Sequence, residues 1–206
     1  MKLKWVYIKN YRSCKDVRID IGSMQALVGA NNAGKSSIIR ALDFLFNPST
    51  TKVDEETFWN GDTELTIWVE AFFSELSDSE KENEKLKPFL RPDDTFHIAR
   101  SAKWKVEDSE EGSPPGDGKP VISQYFCKPT PKYEWLQESK INGKNIAEWW
   151  KNKDDLKVGD ANFLDYVGQA KPGVGVWKEK AKEFVETHLS TDDFEDVWND
   201  NPQGYA

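Results

Sequence analysis

One short stretch constrains this chain more than any other. Residues 29–37, Gly-Ala-Asn-Asn-Ala-Gly-Lys-Ser-Ser, match the pattern G-x-x-x-x-G-K-[ST] of the phosphate-binding loop. Gly29 and Gly34 let the backbone curl so that successive N–H groups face a pyrophosphate. The ammonium of Lys35 then reaches the β- and γ-phosphates, the hydroxyl of Ser36 holds Mg²⁺, and the N-terminus of the next helix adds its positive dipole end. The stretch therefore predicts a site for a nucleoside triphosphate with Mg²⁺.

The residues around this loop predict the strand and the helix that such a loop connects. Met24–Val28 is a short apolar run after the turn residues Gly22 and Ser23, which favours a buried strand. Pro48 disfavours the α conformation at Asn47, so the helix is expected to end there. Apolar residues after the loop recur with helical spacing in two overlapping stripes, Ile38, Ala41, Leu42, Leu45 and Ile39, Leu42, Phe46. We therefore expect a helix that is buried on most of its circumference.

Composition limits the class of protein and its partners. The chain has 206 residues, 37% of them hydrophobic, which is enough for one large domain or two small ones. Asp and Glu outnumber Lys and Arg by 36 to 28, and the net charge of −8 makes the surface a poor general attractor for nucleic acid. Cys14 and Cys127 lack the spacing of a zinc or disulfide framework, and no apolar run has transmembrane length. We expect a soluble cytoplasmic protein with reduced thiols and no membrane contact.

Most of the first two thirds of the chain predicts strands with one buried face. After the strand Leu3–Ile8, the polar segment Lys9–Lys15 is expected to be a connection, and a capping box at Ser77–Glu80 opens a charged helix that ends before Pro88. The acidic stretch Glu107–Pro120 predicts a mobile hairpin loop. Further strands are expected at Val17–Ile21, Leu65–Phe73, Thr95–Val106 and Val121–Cys127.

The last third has a more helical pattern. A short helix is expected at Asn145–Asn152, and Lys171–Gly175 is expected to be a loop. Thr191 is in position to cap a final short helix that carries Phe194, Val197 and Trp198. Between them, one face of an amphipathic helix is formed by Trp177, Ala181, Phe184, Val185 and Leu189.

Three segments together resemble a known family opening: Ile8–Ser13, Val17–Ile21 and Gly29–Leu42. They resemble the start of the ABC-type ATPases of the SMC/RecF group, and most of all the overcoming-lysogenization-defect (OLD) family of ATP-dependent endonucleases. The resemblance covers about the first quarter of the chain. It implies an α/β fold, a P-loop NTPase of the ABC-type ATPase head, with an antiparallel β-subdomain and peripheral helices. It also implies ATP bound between two heads with Mg²⁺, a C-terminal Toprim nuclease domain, and often a role in defence against phage.

The resemblance assigns the site residues by position. The residues Gly29, Asn31, Asn32, Ala33, Gly34, Lys35, Ser36 and Ser37 would bind the nucleotide, with Lys35 as the catalytic residue and Ser36 as the Mg²⁺ ligand. The Tyr11-Arg12 segment would lie near the base or ribose, although Arg12 is equally consistent with an ordinary exposed loop arginine. On this basis residues 1–75 hold the N-terminal strands, the phosphate-binding loop and the first helix of the core. Residues 76–206 hold the remainder of the lobe, and the chain is expected to continue beyond them.

Several parts of a complete active site are not recognisable in the sequence. Leu189–Asp192 lacks the glycines of the Leu-Ser-Gly-Gly-Gln loop that ABC-type hydrolysis needs. Glu70 ends an apolar run, but its period-two alternation indicates a one-sided antiparallel strand and argues against a catalytic role. His97 and His188 have no second ligand at metal spacing, so structural roles are expected. Paired aspartates that resemble turns and caps, not Toprim acids, occur at Asp93-Asp94, Asp154-Asp155 and Asp192-Asp193.

Three hypotheses about function follow. The first is the ATP-binding and hydrolysing module of an OLD-family DNA endonuclease in antiviral defence, whose ATP state gates a nuclease outside this chain. The second is a nucleotide-sensing assembly scaffold with little turnover, and the third is an SMC/RecF-type repair ATPase without a nuclease. The expected partners are a second copy of the chain in a homo-oligomer, DNA through parts outside this sequence, and subunits of a defence system.

Overall fold

A computed structural model describes residues 1–31, 33–106 and 118–200 of the chain. Within these ranges the chain forms eight strands and five α-helices. The strands are β1 (Lys2–Tyr11), β2 (Cys14–Asp20), β3 (Ile67–Ser74), β4 (Phe96–Lys105), β5 (Lys119–Pro131), β6 (Lys157–Val158), β7 (Ala161–Asn162) and β8 (Phe194–Asp200). The helices are α1 (Lys35–Phe46), α2 (Asp78–Lys81), α3 (Gly143–Trp149), α4 (Leu164–Val167) and α5 (Val174–His188).

The main sheet has six strands in the order β2-β1-β3-β4-β5-β8. Each pairing from β2 through to β5 is antiparallel, as the one-sided alternation of the sequence predicts. In β3 the alternate residues Ile67, Val69, Ala71 and Phe73 are buried, and those between them are half-buried. The mixed α/β class and the antiparallel sheet of the prediction are thus present.

One face of this sheet carries the core that holds α1. Val6, Ile8 and Val69 have no exposed surface and pack in one cluster with Ala41 and Phe44 of the helix. Each fully buried side chain of this size contributes about 1.5–3 kcal/mol to stability. The helix ends at Phe46, where the sequence predicts its end, because Asn47 before the proline leaves the helical conformation. The phosphate-binding loop therefore begins a helix that is anchored on the sheet.

The prediction of a buried strand at Met24–Val28 is wrong. This stretch forms no strand, and Met24 and Val28 are 91% and 92% exposed. In the described part of the chain no strand pairs with it, and an apolar run without a pairing partner leaves its backbone and side chains in water. The expectation that α1 is buried on most of its circumference is also wrong, since Ile39 and Phe46 on its second stripe are exposed and only Ala41, Phe44 and Leu45 are fully buried.

Three other boundaries differ from the sequence prediction. Lys9–Lys15 is mostly strand, with Arg12 and Ser13 alone forming the turn between β1 and β2. The capping box at Ser77 is present, but α2 is only four residues long. The final helix expected after Thr191 is strand β8, whose Phe, Val and Trp residues have high strand propensity.

The chain forms two compact units. The first comprises residues 1–128 with the end of β8 from Trp198, and the second is Pro129–Val197. The second has its own aromatic core, in which Trp177, Phe163 and Phe184 have no exposed surface, and its helix α5 presents the predicted apolar face. The sequence division at residue 75 falls inside the first unit.

Two further sequence expectations concern loops and thiols. Most of the acidic stretch Glu107–Pro120 lies outside the described residues. Cys14 and Cys127 are buried and form no disulfide, as their spacing predicts. No helix among the described residues has the length and hydropathy needed to cross a bilayer.

Candidate functional site

The start of α1 depends on the backbone of Gly34. This residue precedes the helix with φ 87°, a left-handed conformation that costs a residue with a Cβ about 1–2 kcal/mol. A Cβ added there would lie 3.1 Å from Oγ of Ser13. No side chain caps the helix, so the N–H groups of its first turn remain available to a ligand at the helix end. This is the arrangement that the loop pattern predicts.

The side chain of Lys35 folds back over the loop. Its Nζ donates to the carbonyl oxygens of Gly29 at 2.7 Å and Ala30 at 2.6 Å. Ala33 closes the same turn, with its N–H donating to the carbonyl of Ala30 at 3.2 Å. Carbonyl oxygens are neutral acceptors, whereas a phosphate oxygen carries a negative charge that adds direct attraction to the ammonium. The ammonium is thus held at the loop by contacts that a bound phosphate would replace.

The turn between β1 and β2 lies against the first turn of α1. Oγ of Ser13 donates to Oγ of Ser37 at 2.8 Å. The N–H of Arg12 donates to the carbonyl of Thr57 at 2.8 Å, and Arg12 has the left-handed φ of 49°. Its Nε is buried and has no hydrogen-bond partner. A buried donor without a partner is costly, which points to a ligand that completes it.

A cleft of about 870 Å³ unites these groups. Six residues that the sequence predicts for the site line it together: Arg12, Asn31, Gly34, Lys35, Ser36 and Ser37. Gly29 contacts Lys35 through its carbonyl, Ala33 is exposed in the same loop, and Asn32 lies outside the described residues. The structure thus brings the β1–β2 turn and the phosphate-binding loop to one cleft.

Six further residues line the cleft, and the sequence does not predict them for the site. Ser13 and Arg40 belong to the β1–β2 turn and to α1, and Glu56, Phe58, Asn60 and Gly61 form what we call the opposite wall. Asn60 and Gly61 have φ of 57° and 69°, and the Asn-Gly pair is a turn pattern that marks the bend but not the cleft.

Three contacts hold this wall in place. Tyr11 forms an isolated antiparallel bridge with Phe58, and the ammonium of Lys15 lies 4.7 Å from the ring centre of Trp59. The hydroxyl of Thr57 donates to Asp54 at 2.6 Å. That bond, with a smaller contribution from the charge of Arg12, holds the pKa of Asp54 below its ordinary value. The wall is therefore fixed by contacts from β1, β2 and the Asp54–Thr57 cap.

Comparison with known proteins shows which family this arrangement belongs to. The model of the AAA ATPase domain family matches residues 1–195. This chain belongs to the AAA ATPase domain family. Membership implies a P-loop NTPase, and residues 29–37 carry the sequence pattern of its phosphate-binding loop.

Two curated relatives add detail to the AAA ATPase domain assignment. The Old nuclease of Escherichia phage P2 is 33% identical over 113 residues, which cover 52% of this chain and 18% of the relative. The OLD nuclease of Thermus scotoductus is 35% identical over 75 residues, which cover 34% of this chain and 14% of the relative. The resemblance to the OLD family is thus confirmed, and the matches span less than a fifth of each relative.

The electrostatics of the cleft suit a nucleotide of the kind that AAA ATPase domains bind. Its volume lies in the usual range for ligand pockets. Lys35, Arg12 and Arg40 give the lining three positive charges against the single carboxylate of Glu56 among its described residues. This local excess of positive charge contrasts with the net charge of −8 of the chain. Ser36 is exposed and lines the cleft, where its hydroxyl would hold Mg²⁺ beside the phosphates.

Glu70 and the histidines of this AAA ATPase domain lie outside the cleft lining. Oε1 of Glu70 is 2.6 Å from Nε2 of His97, and Oε2 accepts a hydrogen bond from the indole of Trp68 at 2.9 Å. Glu70 alternates with residues of the core, so it lies on the sheet face away from α1. In the second unit His188 contacts the hydroxyl of Tyr166 at 2.8 Å.

Proposed function

We propose that this chain is the ATP-binding and ATP-hydrolysing module of an OLD-type, ATP-dependent DNA endonuclease, with the architecture of an ABC-type ATPase head. The observation that carries the proposal is the cleft that joins the phosphate-binding loop to Arg12. The two relatives support the same assignment, because both carry the name OLD nuclease. The nuclease itself would lie outside this chain.

The residues of the cleft would have different roles in the transfer of the γ-phosphoryl group to water. The first-turn N–H groups of α1 would bind the phosphates, and the ammonium of Lys35 would offset charge on the β- and γ-oxygens. Arg12, whose Nε is buried without a partner, would hold the ribose or base end or the α-phosphate. Mg²⁺ on Ser36 supplies further neutralisation of phosphate charge when it is bound.

Hydrolysis would need groups beyond this cleft. Of the described residues that line it, only Glu56 carries a carboxylate, and no glycine-rich signature loop is present in the sequence. We therefore propose that the base and the loop that contacts the γ-phosphate come from another part of the protein or from a second copy. ATP would then be bound between two heads, so the working form would be a homo-oligomer.

The biological setting of the proposal follows the OLD resemblance. ATP bound between heads would gate a metal-dependent nuclease that cuts DNA, in the cytoplasm and in defence against phage, together with any subunits of that defence system. A nucleotide-sensing scaffold with little turnover is the second candidate. It is favoured by one observation, the lack of a second carboxylate in the described lining.

DNA cleavage by the full-length protein separates the two candidates. We expect cleavage that requires a divalent metal and is modulated by ATP, and a Lys35→Ala variant that has lost the modulation. The 206-residue chain alone should hydrolyse ATP very slowly. A full-length protein that binds ATP but neither cleaves DNA nor turns ATP over would reject the endonuclease and favour the scaffold.

A further inference from the structure

A second cavity adjoins the nucleotide cleft. Its volume is about 290 Å³, and its floor is formed by the buried side chains of Tyr11, Phe44 and Val53. It shares only Arg12 and Arg40 with the cleft. A pocket of this size is at the lower limit for organic ligands, and it is distinct from the space beside the phosphate-binding loop.

The rim of this second cavity carries an excess of positive charge. Asp43 is its only carboxylate among the described lining residues, and Asp43 is already paired. Nζ of Lys52 donates to its Oδ2 at 2.9 Å, and Nδ2 of Asn47 donates to its Oδ1 at 3.1 Å. The bond from Lys52, followed by that from Asn47, lowers the pKa of Asp43, so the carboxylate stays ionised and is matched by one ammonium.

The lining of the second cavity holds no carboxylate that pairs with either of the two shared arginines; the charge of Arg12 acts on Asp54, which lies outside this lining. In the described part of the chain the guanidinium of Arg40 takes part in no hydrogen bond or ion pair. Nε of Arg12 is buried and has no acceptor. Guanidinium groups present several N–H donors that match the oxygens of a tetrahedral anion. Ser49 adds a hydroxyl to the same rim.

We propose that the second cavity is an anion site that takes inorganic phosphate or the phosphate of a small monoester, held by Arg12, Arg40 and Lys52. The cavity is a separate site because its rim residues Asn47, Ser49 and Lys52 do not line the nucleotide cleft. Its positive rim suits a divalent anion, and its volume is too small for a whole nucleoside triphosphate beside the one in the cleft.

Sharing of the arginines couples the two sites. A phosphate in the second cavity accepts hydrogen bonds from the same guanidinium groups that face the nucleotide. Each ligand therefore lowers the binding affinity of the other by the same factor. This consequence rests on the proposed ATPase function, in which free phosphate is a product. Phosphate that accumulates would then lower the affinity of the cleft for the next ATP.

The anion site is tested by calorimetric titration of inorganic phosphate into a Lys35→Ala chain, in which the cleft has lost its ammonium. We expect binding to persist, to weaken about fivefold on Lys52→Gln, and to tighten about threefold on Asp43→Asn, which removes the local negative charge. Both side chains are about half exposed, so the fold should be kept, and circular dichroism checks this. Lys144→Gln, which makes the same charge change on exposed α3, is the control and should leave phosphate affinity unchanged.

Two results would overturn the proposal. One is that phosphate does not bind to the Lys35→Ala chain, and the other is that its affinity is the same with and without Lys52→Gln and Asp43→Asn. Glycerol 3-phosphate is titrated in parallel, and whichever probe binds more tightly identifies the source of the phosphate group. Coupling is read from the dissociation constant of ATP with and without phosphate, which should rise in the unmodified chain and rise less in Lys52→Gln. Phosphate binding in a protein that fails to bind ATP would reject the ATPase function and keep the anion site. ATP binding without phosphate binding would reject the anion site and keep the ATPase function.

Discussion

Replacement of Gly34 by alanine tests the geometry of the loop at one backbone position. The residue has φ 87°, and its missing Cβ would lie 3.1 Å from Oγ of Ser13. The left-handed conformation costs alanine about 1–2 kcal/mol, and the close oxygen forces a further shift of the β1–β2 turn or of the loop. We therefore expect Gly34→Ala to lower the free energy of unfolding by about 2 kcal/mol and to weaken ATP binding at least tenfold.

Two other glycines separate the possible causes of that loss. Gly159 also has a left-handed φ of 56°, but nothing lies within 4 Å of its added Cβ. Gly159→Ala should lose about 1–2 kcal/mol of stability and leave ATP affinity unchanged. Gly143 has neither constraint, so Gly143→Ala should be neutral or slightly stabilising. Urea unfolding gives the stabilities and calorimetry gives the affinities. The reasoning is refuted if Gly34→Ala unfolds and binds ATP like the unmodified chain.

Three further predictions follow from contacts near the site and in the core. Ser13→Ala removes a 2.8 Å hydrogen bond to the first turn of α1, so the free energy of unfolding should fall by about 0.5–1.5 kcal/mol and ATP should bind more weakly. Ser13→Thr keeps the hydroxyl and should retain the stability and the ATP affinity of the unmodified chain. The lowered pKa of Asp54 stabilises the fold above the ordinary aspartate pKa, and this contribution is lost as pH falls through the folded-state value; the stability gap between the unmodified chain and Asp54→Asn should therefore close in acid. Met24→Ser should change stability by less than about 0.5 kcal/mol because Met24 is exposed, whereas Phe44→Ala should cost about 3–5 kcal/mol, and equal losses in urea unfolding would contradict the packing described.

The parts of the fold that sequence predicts are those encoded locally. The end of α1 is set by Pro48, the alternation in β3 is visible in Ile67–Ser74, and the glycine and lysine of the loop have fixed spacing. In each case the physical cause lies within a few residues of its effect. The same is true of the capping box at Ser77.

The parts that sequence does not predict depend on distant neighbours. Met24–Val28 has the composition of a buried strand, but burial requires a pairing partner that the apolar pattern cannot reveal. The opposite wall of the cleft is joined to the β1–β2 turn by contacts such as the backbone bond from Arg12 to Thr57, which are separated by more than forty residues in the sequence. The predicted helix at β8 is wrong because a short apolar run with Phe194 and Trp198 suits either a helix or a strand.

The most direct test of the account is the dissociation constant of ATP with Mg²⁺ for the chain and for Lys35→Ala. The ammonium is held by two loop carbonyls and lines the cleft, so its removal deletes a charge-assisted phosphate contact worth about 1.5–3 kcal/mol. We expect binding to weaken by at least tenfold, while Lys103→Ala, at an exposed position of β4, has no effect. Equal affinity of the Lys35→Ala variant and the unmodified chain would contradict the assignment of this cleft as the nucleotide site.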